Sequence, residues 1–251
     1  MSALTDRFDA VLERLVAAVV RSGRTMDQVR LVAVSKWHTA AAVAELARHW
    51  SGRGLPAFGE SYMQEAREKI PEVAGMLGQA SAASAEWHFV GHIQSKKAKD
   101  IIGQFSLVHS VDSLKLAQAL QKAWQNRVSG APVELDEPAP AAQGILVQVN
   151  VGREAQKSGV DPEKLEELIT GINAMPELHL QGLMCLPPLA QIGSESRPYF
   201  IMLRNLRDRM EQRCGLPLPH LSMGMSDDFE AAIEEGATLV RIGTDIFGPR
   251  K

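Results

Sequence analysis

The sequence predicts an α/β protein: a single (β/α)8 TIM barrel, preceded by one extra N-terminal helix and occupying residues 1–251. Three observations predict it. Short apolar runs alternate with longer amphipathic stretches along the chain, the pattern of parallel strands covered by helices. Eight such units in 251 residues match the usual size of a barrel. After the first strand, Lys36-Trp37-His38-Thr39 stands where an open dinucleotide-binding sheet would carry its Gly-rich fingerprint.

Taken in order, Phe8, Val11, Leu12, Leu15 and Val19 make one apolar stripe at helical spacing, with Thr5 or Asp6 as the expected cap and Gly23 as the stop. RLVAVSK (30–36) is too short for a helix and reads as a buried strand, followed by a helix over 40–50. Next come a strand at 57–59 with a charged helix over 62–70, and a strand at 87–91 with a Lys-rich helix from about Lys96. A strand at 107–110 leads into a helix over 114–124, and a strand at 144–151 into a helix over 162–172. The last units are a strand at 178–184 with a long helix to about Arg213, a strand at 220–222 with a helix over 227–235, and a strand at 238–243. GQASAASAE (78–86) and the Pro-rich, acidic 131–143 read as solvated helix-to-strand loops, not as domain linkers.

Composition narrows the function classes. Hydrophobic residues are 45% and charged residues 23%, an ordinary globular balance. A net charge of −3 gives no basic excess for nucleic acid or an anionic membrane surface. Two cysteines, Cys185 and Cys214, are too few for a disulfide scaffold, so a reduced, cytoplasmic location is expected. The N-terminus is charged throughout and does not read as a signal peptide, and no run has the length of a membrane span.

Barrel chemistry sits at the C-terminal ends of the strands. Lys36 follows LVAVS directly and shares strand parity with Val32 and Val34, so it points inward if the valines do. Desolvation lowers a lysine pKa, and the neutral amine is the form that makes a Schiff base with an aldehyde. The bland alternative is a strand-end lysine reaching back to solvent. After the seventh and eighth strands, Ser222, Gly224 and Ser226, then Gly243 and Thr244, could cradle a phosphate with backbone amides and hydroxyls. Asp227, Asp228 and Asp245 would oppose that if turned inward. Arg241 shares parity with Leu239 and faces the space near Lys36 once the barrel closes; a barrel carboxylate such as Glu60 is its alternative partner.

Weaker candidates take the ordinary reading. His88 and His92 read as hydrogen-bonding histidines rather than metal ligands, Cys185 as a buried thiol, and Lys96, Lys97 and Lys99 as a solvated face. An inward lysine, a phosphate cup and an arginine together suit a phosphorylated aldehyde. Pyridoxal 5′-phosphate (PLP) is one fit, and a Schiff-base aldolase acting on a sugar phosphate is the other.

LVAVSK (31–36), FGESYMQE (58–65), WHFVGHIQSKK (87–97), VNVGREAQKSG (149–159), GLMCLPP (182–188) and LSMGMSDDFEAAIEEGATLVRIGTDIFG (221–248) together resemble the pyridoxal phosphate homeostasis protein family, also called the proline synthase co-transcribed family. The resemblance implies a barrel like the N-terminal domain of alanine racemase, with PLP as a Schiff base on Lys36. It further implies that Arg241 faces the pyridine nitrogen and that Ser222, Gly224, Gly243 and Thr244 hold the phosphate. Ser61 stands where the family has an asparagine near the cofactor, and Asp245 where a small residue is expected.

The function expected from this is a PLP carrier in vitamin B6 homeostasis, with PLP-requiring apo-enzymes as partners. Guanidinium only donates hydrogen bonds, so it favours an unprotonated pyridine and a weak electron sink. A weak amino-acid racemase is the alternative. Alanine racemase draws a second catalytic tyrosine from its partner subunit and has a further C-terminal domain. This chain stops at Lys251 and has only Tyr62 and Tyr199, so a monomer without that domain is expected.

Overall fold

The computed structural model describes residues 2–78, 85–129, 142–154, 156–188 and 193–249. Most of both expected loops, at 79–84 and 130–141, lies outside the described residues. The elements in chain order are α1 (Ala3–Arg21), β1 (Arg30–Val34), α2 (Ala40–Trp50), β2 (Ala57–Glu60), α3 (Met63–Leu77), β3 (Glu86–Phe89), α4 (Ala98–Ile101), β4 (Leu107–Val111) and α5 (Leu114–Ser129). They continue with β5 (Gln143–Val149), α6 (Leu165–Asn173), β6 (Leu178–Cys185), α7 (Arg197–Cys214), β7 (His220–Ser222), α8 (Phe229–Glu234), β8 (Leu239–Ile242) and α9 (Thr244–Phe247).

The eight strands are parallel and close in sequence order, β8 pairing back onto β1 with Val32 opposite Arg241. Strand alternation then separates two cores. Val32, Ala57, Leu107, Leu146, Met184 and Leu239 fill the barrel interior. The residues between them, such as Leu31, Phe58, Val108, Ile145, Leu183 and Val240, face outward and join the helix shell. Two register shifts interrupt the pairing: β4 has one extra residue between Val108 and Val111, where the buried Ser110 donates to the Gly91 carbonyl at 2.5 Å, and β6 has one between Leu180 and Leu183.

The extra helix has a structural reason. Only one helical turn, α9, follows β8, and α1 packs against α8, α9 and α2, completing the outer ring. Its stripe buries Phe8, Val11, Leu15 and Val19 as expected. The cap differs: Ser2, not Thr5 or Asp6, opens α1, in a reciprocal capping box with Thr5. The helix over 62–70 also runs further, to Leu77, with Pro71 inside it. A helix-interior proline costs about 3 kcal/mol, but Ala66, Val73 and Leu77 continue the buried face across it. The Lys-rich helix is a single 3-10 turn and one α turn, with Lys96, Lys97 and Lys99 exposed. The seventh barrel helix spans only Phe229–Glu234, because Asp228 is spent as a loop acceptor.

Candidate functional site

All seven residues singled out as cofactor-binding lie at or beyond the C-terminal ends of β1, β2, β7 and β8. Lys36 stands two residues past β1, half-buried, in the loop before α2. Val32 lies in the barrel interior, as the shared parity required. The residues on either side of Lys36 are held by a cluster that sequence reasoning missed. Ser35 donates to Glu60 Oε1 at 2.6 Å. Lys69 Nζ bonds the Ser35 carbonyl at 2.8 Å, Glu60 Oε1 at 2.8 Å and Glu65 Oε1 at 2.5 Å. Trp37 donates its backbone N–H to Glu65 at 2.6 Å and takes a left-handed φ of 68°. For a non-glycine residue that conformation costs roughly 1–2 kcal/mol, so the turn after Lys36 is held by its neighbours rather than relaxed.

Glu60 therefore serves Lys69 and Ser35, which corrects its expected alternative role as the partner of Arg241. It is fully buried, and burial pushes its carboxyl up although Lys69 and Ser35 pull it down. The one advance signal for this cluster was the Glu65/Lys69 spacing, four residues apart on one helix face.

Ser61 follows β2, half-buried, against Gly91: a Cβ at Gly91 would sit 2.1 Å from the Ser61 carbonyl oxygen, so only glycine fits there. On the opposite side of the mouth, Gly224 turns the loop after β7 with φ 91°, and a Cβ there would strike Ala232 at 2.6 Å. Its carbonyl accepts from the Arg241 amide at 3.0 Å, which joins this loop to β8. Gly243 lies beside the end of β1, where a Cβ would be 3.2 Å from the Val34 carbonyl, and Thr244 is exposed at the start of α9. The two glycine loops and the Lys36 loop thus share one rim. Two of the three aspartates that could have opposed an anion are turned to other tasks. Asp245 pairs with Arg14 at 2.6 Å, and Asp228 accepts the Met225 amide at 2.6 Å. Asp227 is exposed.

Arg241 points into the barrel as parity required and is 4% exposed. Its Nη1 donates to Ser222 Oγ at 2.6 Å and its Nη2 to the Cys185 carbonyl at 2.9 Å. No carboxylate pairs with it among the described residues. Burial pushes its pKa down from the usual guanidinium range. Ser222 is buried at the end of β7, and its hydroxyl also lies 2.8 Å from His109 Nδ1. His109, missed in the sequence, shares parity with the inward Leu107 on β4, which was the available signal.

His88 and His92 both make hydrogen bonds, as expected: His88 is buried in a hydrogen-bond chain, and His92 is exposed with Ser158 at 2.9 Å. No group of three metal-ligating side chains occurs among the described residues. Cys185 is fully buried, its thiol pushed up to about 12 by desolvation. Native protein at about pH 8 should therefore show one readily modified thiol, Cys214, with Cys185 reacting only after unfolding; two fast thiols in the native state would contradict this placement. No helix among the described residues is long and apolar enough to cross a membrane.

The alanine racemase N-terminal domain family matches residues 11–251. The pyridoxal phosphate homeostasis protein of Aquifex aeolicus (strain VF5) is 40% identical over 98% of this chain and 98% of its own. That of Pseudomonas aeruginosa is 41% identical over 100% of this chain and 97% of its own. Among solved structures, PipY of Synechococcus elongatus PCC7942, determined with PLP bound, is 32% identical over 94% of this chain and 99% of its own, with a TM-score of 0.75. Alanine racemase from Corynebacterium glutamicum covers 96% of this chain and 61% of its own at 18% identity and TM-score 0.62, a likeness of fold alone. Matches of this extent and identity place the chain in the alanine racemase N-terminal domain family, among the pyridoxal phosphate homeostasis proteins.

Proposed function

We propose that this protein binds PLP at the C-terminal mouth of its barrel and acts as a PLP carrier in vitamin B6 homeostasis rather than as an efficient enzyme. The observation that carries the reading is Arg241: a buried guanidinium satisfied only by a hydroxyl and a carbonyl, with no carboxylate partner among the described residues. A buried guanidinium with only neutral hydrogen-bond partners has N–H groups left for a further acceptor, and the pyridine nitrogen of PLP would supply one. The residues fit that ligand. Lys36, on its braced loop, is the amine that would hold the aldehyde as a Schiff base. Arg241 would offer its N–H groups to the pyridine nitrogen. Gly224, Gly243 and Thr244 would offer the phosphate backbone amides, and Ser222 stands below that cup, its hydroxyl holding Arg241. Ser61, shorter than the family's asparagine, stands at the same rim beside Gly91.

The bound cofactor would supply a reactive aldehyde carbon held as an exchangeable imine. A donor-only Arg241 keeps the pyridine unprotonated, which weakens carbanion chemistry. Racemisation would also need an acid or base on each face of the substrate. Of the two tyrosines, Tyr62 packs on Trp37 at 4.8 Å, and Tyr199 lies on α7. The carrier reading extends to a monomeric, cytoplasmic protein that passes PLP to apo-enzymes by imine exchange.

Incubation of the purified protein with PLP, followed by gel filtration, should leave a yellow protein with a visible absorption band. A colourless product overturns the reading. Racemisation of amino acids at ordinary enzyme rates, about 1 s⁻¹ or more, would overturn the carrier role while leaving the binding intact. Arg241→Met should keep the band and move its wavelength, since the ring loses its donor; an unchanged spectrum would place Arg241 away from the ring.

A further inference from the structure

Below Arg241 the barrel interior is not wholly apolar. Ser222 Oγ lies 2.8 Å from His109 Nδ1, His109 Nε2 lies 3.0 Å from His88 Nδ1, and His88 Nε2 lies 3.4 Å from Glu86 Oε2. Glu86 is held in turn by Arg30 at 2.6 Å. Glu86, His88 and Arg30 line a pocket of about 620 Å³ at the N-terminal end of the barrel, opposite the cofactor rim. One hydrogen-bonded line thus crosses the whole core, and its two histidines have no part in the functional reading so far.

The direction of the line is set from its two ends. The Glu86 carboxylate only accepts, so His88 carries its proton on Nε2 and, as a neutral ring, accepts at Nδ1 from His109 Nε2–H. His109 Nδ1 then accepts the Ser222 hydroxyl proton. At the other end the guanidinium has no lone pair, so Arg241 donates to Ser222. Neither ring can be an imidazolium without breaking an accepting contact. The surroundings agree. His109 faces His88, Arg241 and His220, so a proton added to its ring meets the Arg241 cation, while at His88 burial and Arg30 oppose a proton and the Glu86 carboxylate favours one. Burial pushes both imidazoles below their usual range, His109 well below it.

We propose that the line Arg241–Ser222–His109–His88–Glu86 is a one-directional hydrogen-bond relay that locks Arg241 as a donor toward the bound ring, making His109 and His88 positioning residues of the cofactor site and coupling that site to the pocket at the far end of the barrel. The cofactor part rests on the PLP reading above; the tautomers do not. In the relay, Ser222 cannot turn its proton toward Arg241, so the guanidinium keeps its place and its remaining N–H groups face the rim. Glu86 is the anionic terminus that draws every proton in the line the same way, and its side chain is 32% exposed at the far pocket.

Two measurements test this. Nitrogen-15 NMR of the imidazoles, on ligand-free full-length protein at about pH 7.5, should show His109 and His88 both as neutral Nε2–H tautomers. An Nδ1–H tautomer or an imidazolium at either position overturns the relay. The second measurement follows the visible band of the PLP-loaded protein against pH. His109→Gln should retain the Lys36-linked band and displace its pH midpoint by up to about one unit, the size expected for loss of one neutral hydrogen bond. Glu86→Gln should displace it in the same direction by less. His49→Gln, on α2 outside the barrel, should not. Profiles of His109→Gln and wild type that superimpose overturn the positioning role. Wild-type protein that takes up no PLP yet shows both tautomers overturns the cofactor reading and supports the relay alone.

Discussion

Lys36→Ala is expected to lose the visible band of the PLP-loaded protein completely and to weaken PLP retention by at least about 100-fold, close to 2.7 kcal/mol. The expectation follows from what the other rim residues can do. In the proposed site, Gly224, Gly243 and Thr244 would bind a phosphate that many metabolites share, and Arg241 would donate to any acceptor. Only the amine can hold the aldehyde covalently. Alanine at this position follows Ser35, which keeps its bonds to Glu60 and Lys69, and precedes Trp37, which keeps its bond to Glu65. The fold should therefore survive, with thermal unfolding within a few degrees of wild type. Equilibrium dialysis and the absorption spectrum check both halves. A variant that stays yellow and retains PLP as wild type does would remove Lys36 from the site.

Lys69→Met is expected to be the more damaging change to stability. Lys69 is 5% exposed and Glu60 0% exposed. Removing the ammonium leaves the Glu60 carboxylate buried with Ser35 as its remaining donor, and Glu60 Oε2 already has no partner. Breaking a buried pair in this way costs about 3–5 kcal/mol, read as a lower denaturation midpoint at an unchanged slope. The pH dependence has a defined sign. Glu60 has a folded pKa raised above its ordinary value, so the stability linked to it is greatest at acid pH and falls as pH rises through the folded pKa. Loss of Lys69 raises that pKa further. The deficit of the variant against wild type should thus be larger at about pH 8 than at about pH 5, and Glu60→Gln should recover part of it. An equal deficit at both pH values would mean that the pair carries no charge coupling. The same variant removes the Lys69 contacts to the Ser35 carbonyl and to Glu65, so the loop that carries Lys36 should be held less firmly and PLP uptake should slow.

The element order was legible because a parallel barrel writes itself as short apolar runs, each followed by an amphipathic stretch. α2 and β7 have the expected boundaries. Boundaries were missed where tertiary contacts outweigh local signals. The expected helix over 62–70 continues past Pro71 because its buried stripe does. α1 is capped by Ser2 rather than by Thr5 or Asp6. The helix expected from Asp227 begins at Phe229, and Asp228 accepts a loop amide. In the candidate rim, strand parity correctly turned Arg241 into the barrel, and the glycines at the strand ends were visible in advance. What supports the rim was not. Lys69 belongs to α3 yet serves β1 and β2, and His109 joins β3 to β7 across the barrel centre. Such pairings depend on barrel closure, which brings residues 21 and 113 positions apart within hydrogen-bond distance of one ring. No local pattern encodes them.

The central claim is that one lysine captures the aldehyde. Borohydride reduction of the PLP-loaded wild-type protein turns the C=N bond into a stable secondary amine. Intact mass followed by peptide mapping then locates it. The account predicts a single pyridoxyl phosphate adduct, on the peptide that carries Lys36. An adduct on another lysine, or no adduct on a protein that has taken up PLP, would contradict it.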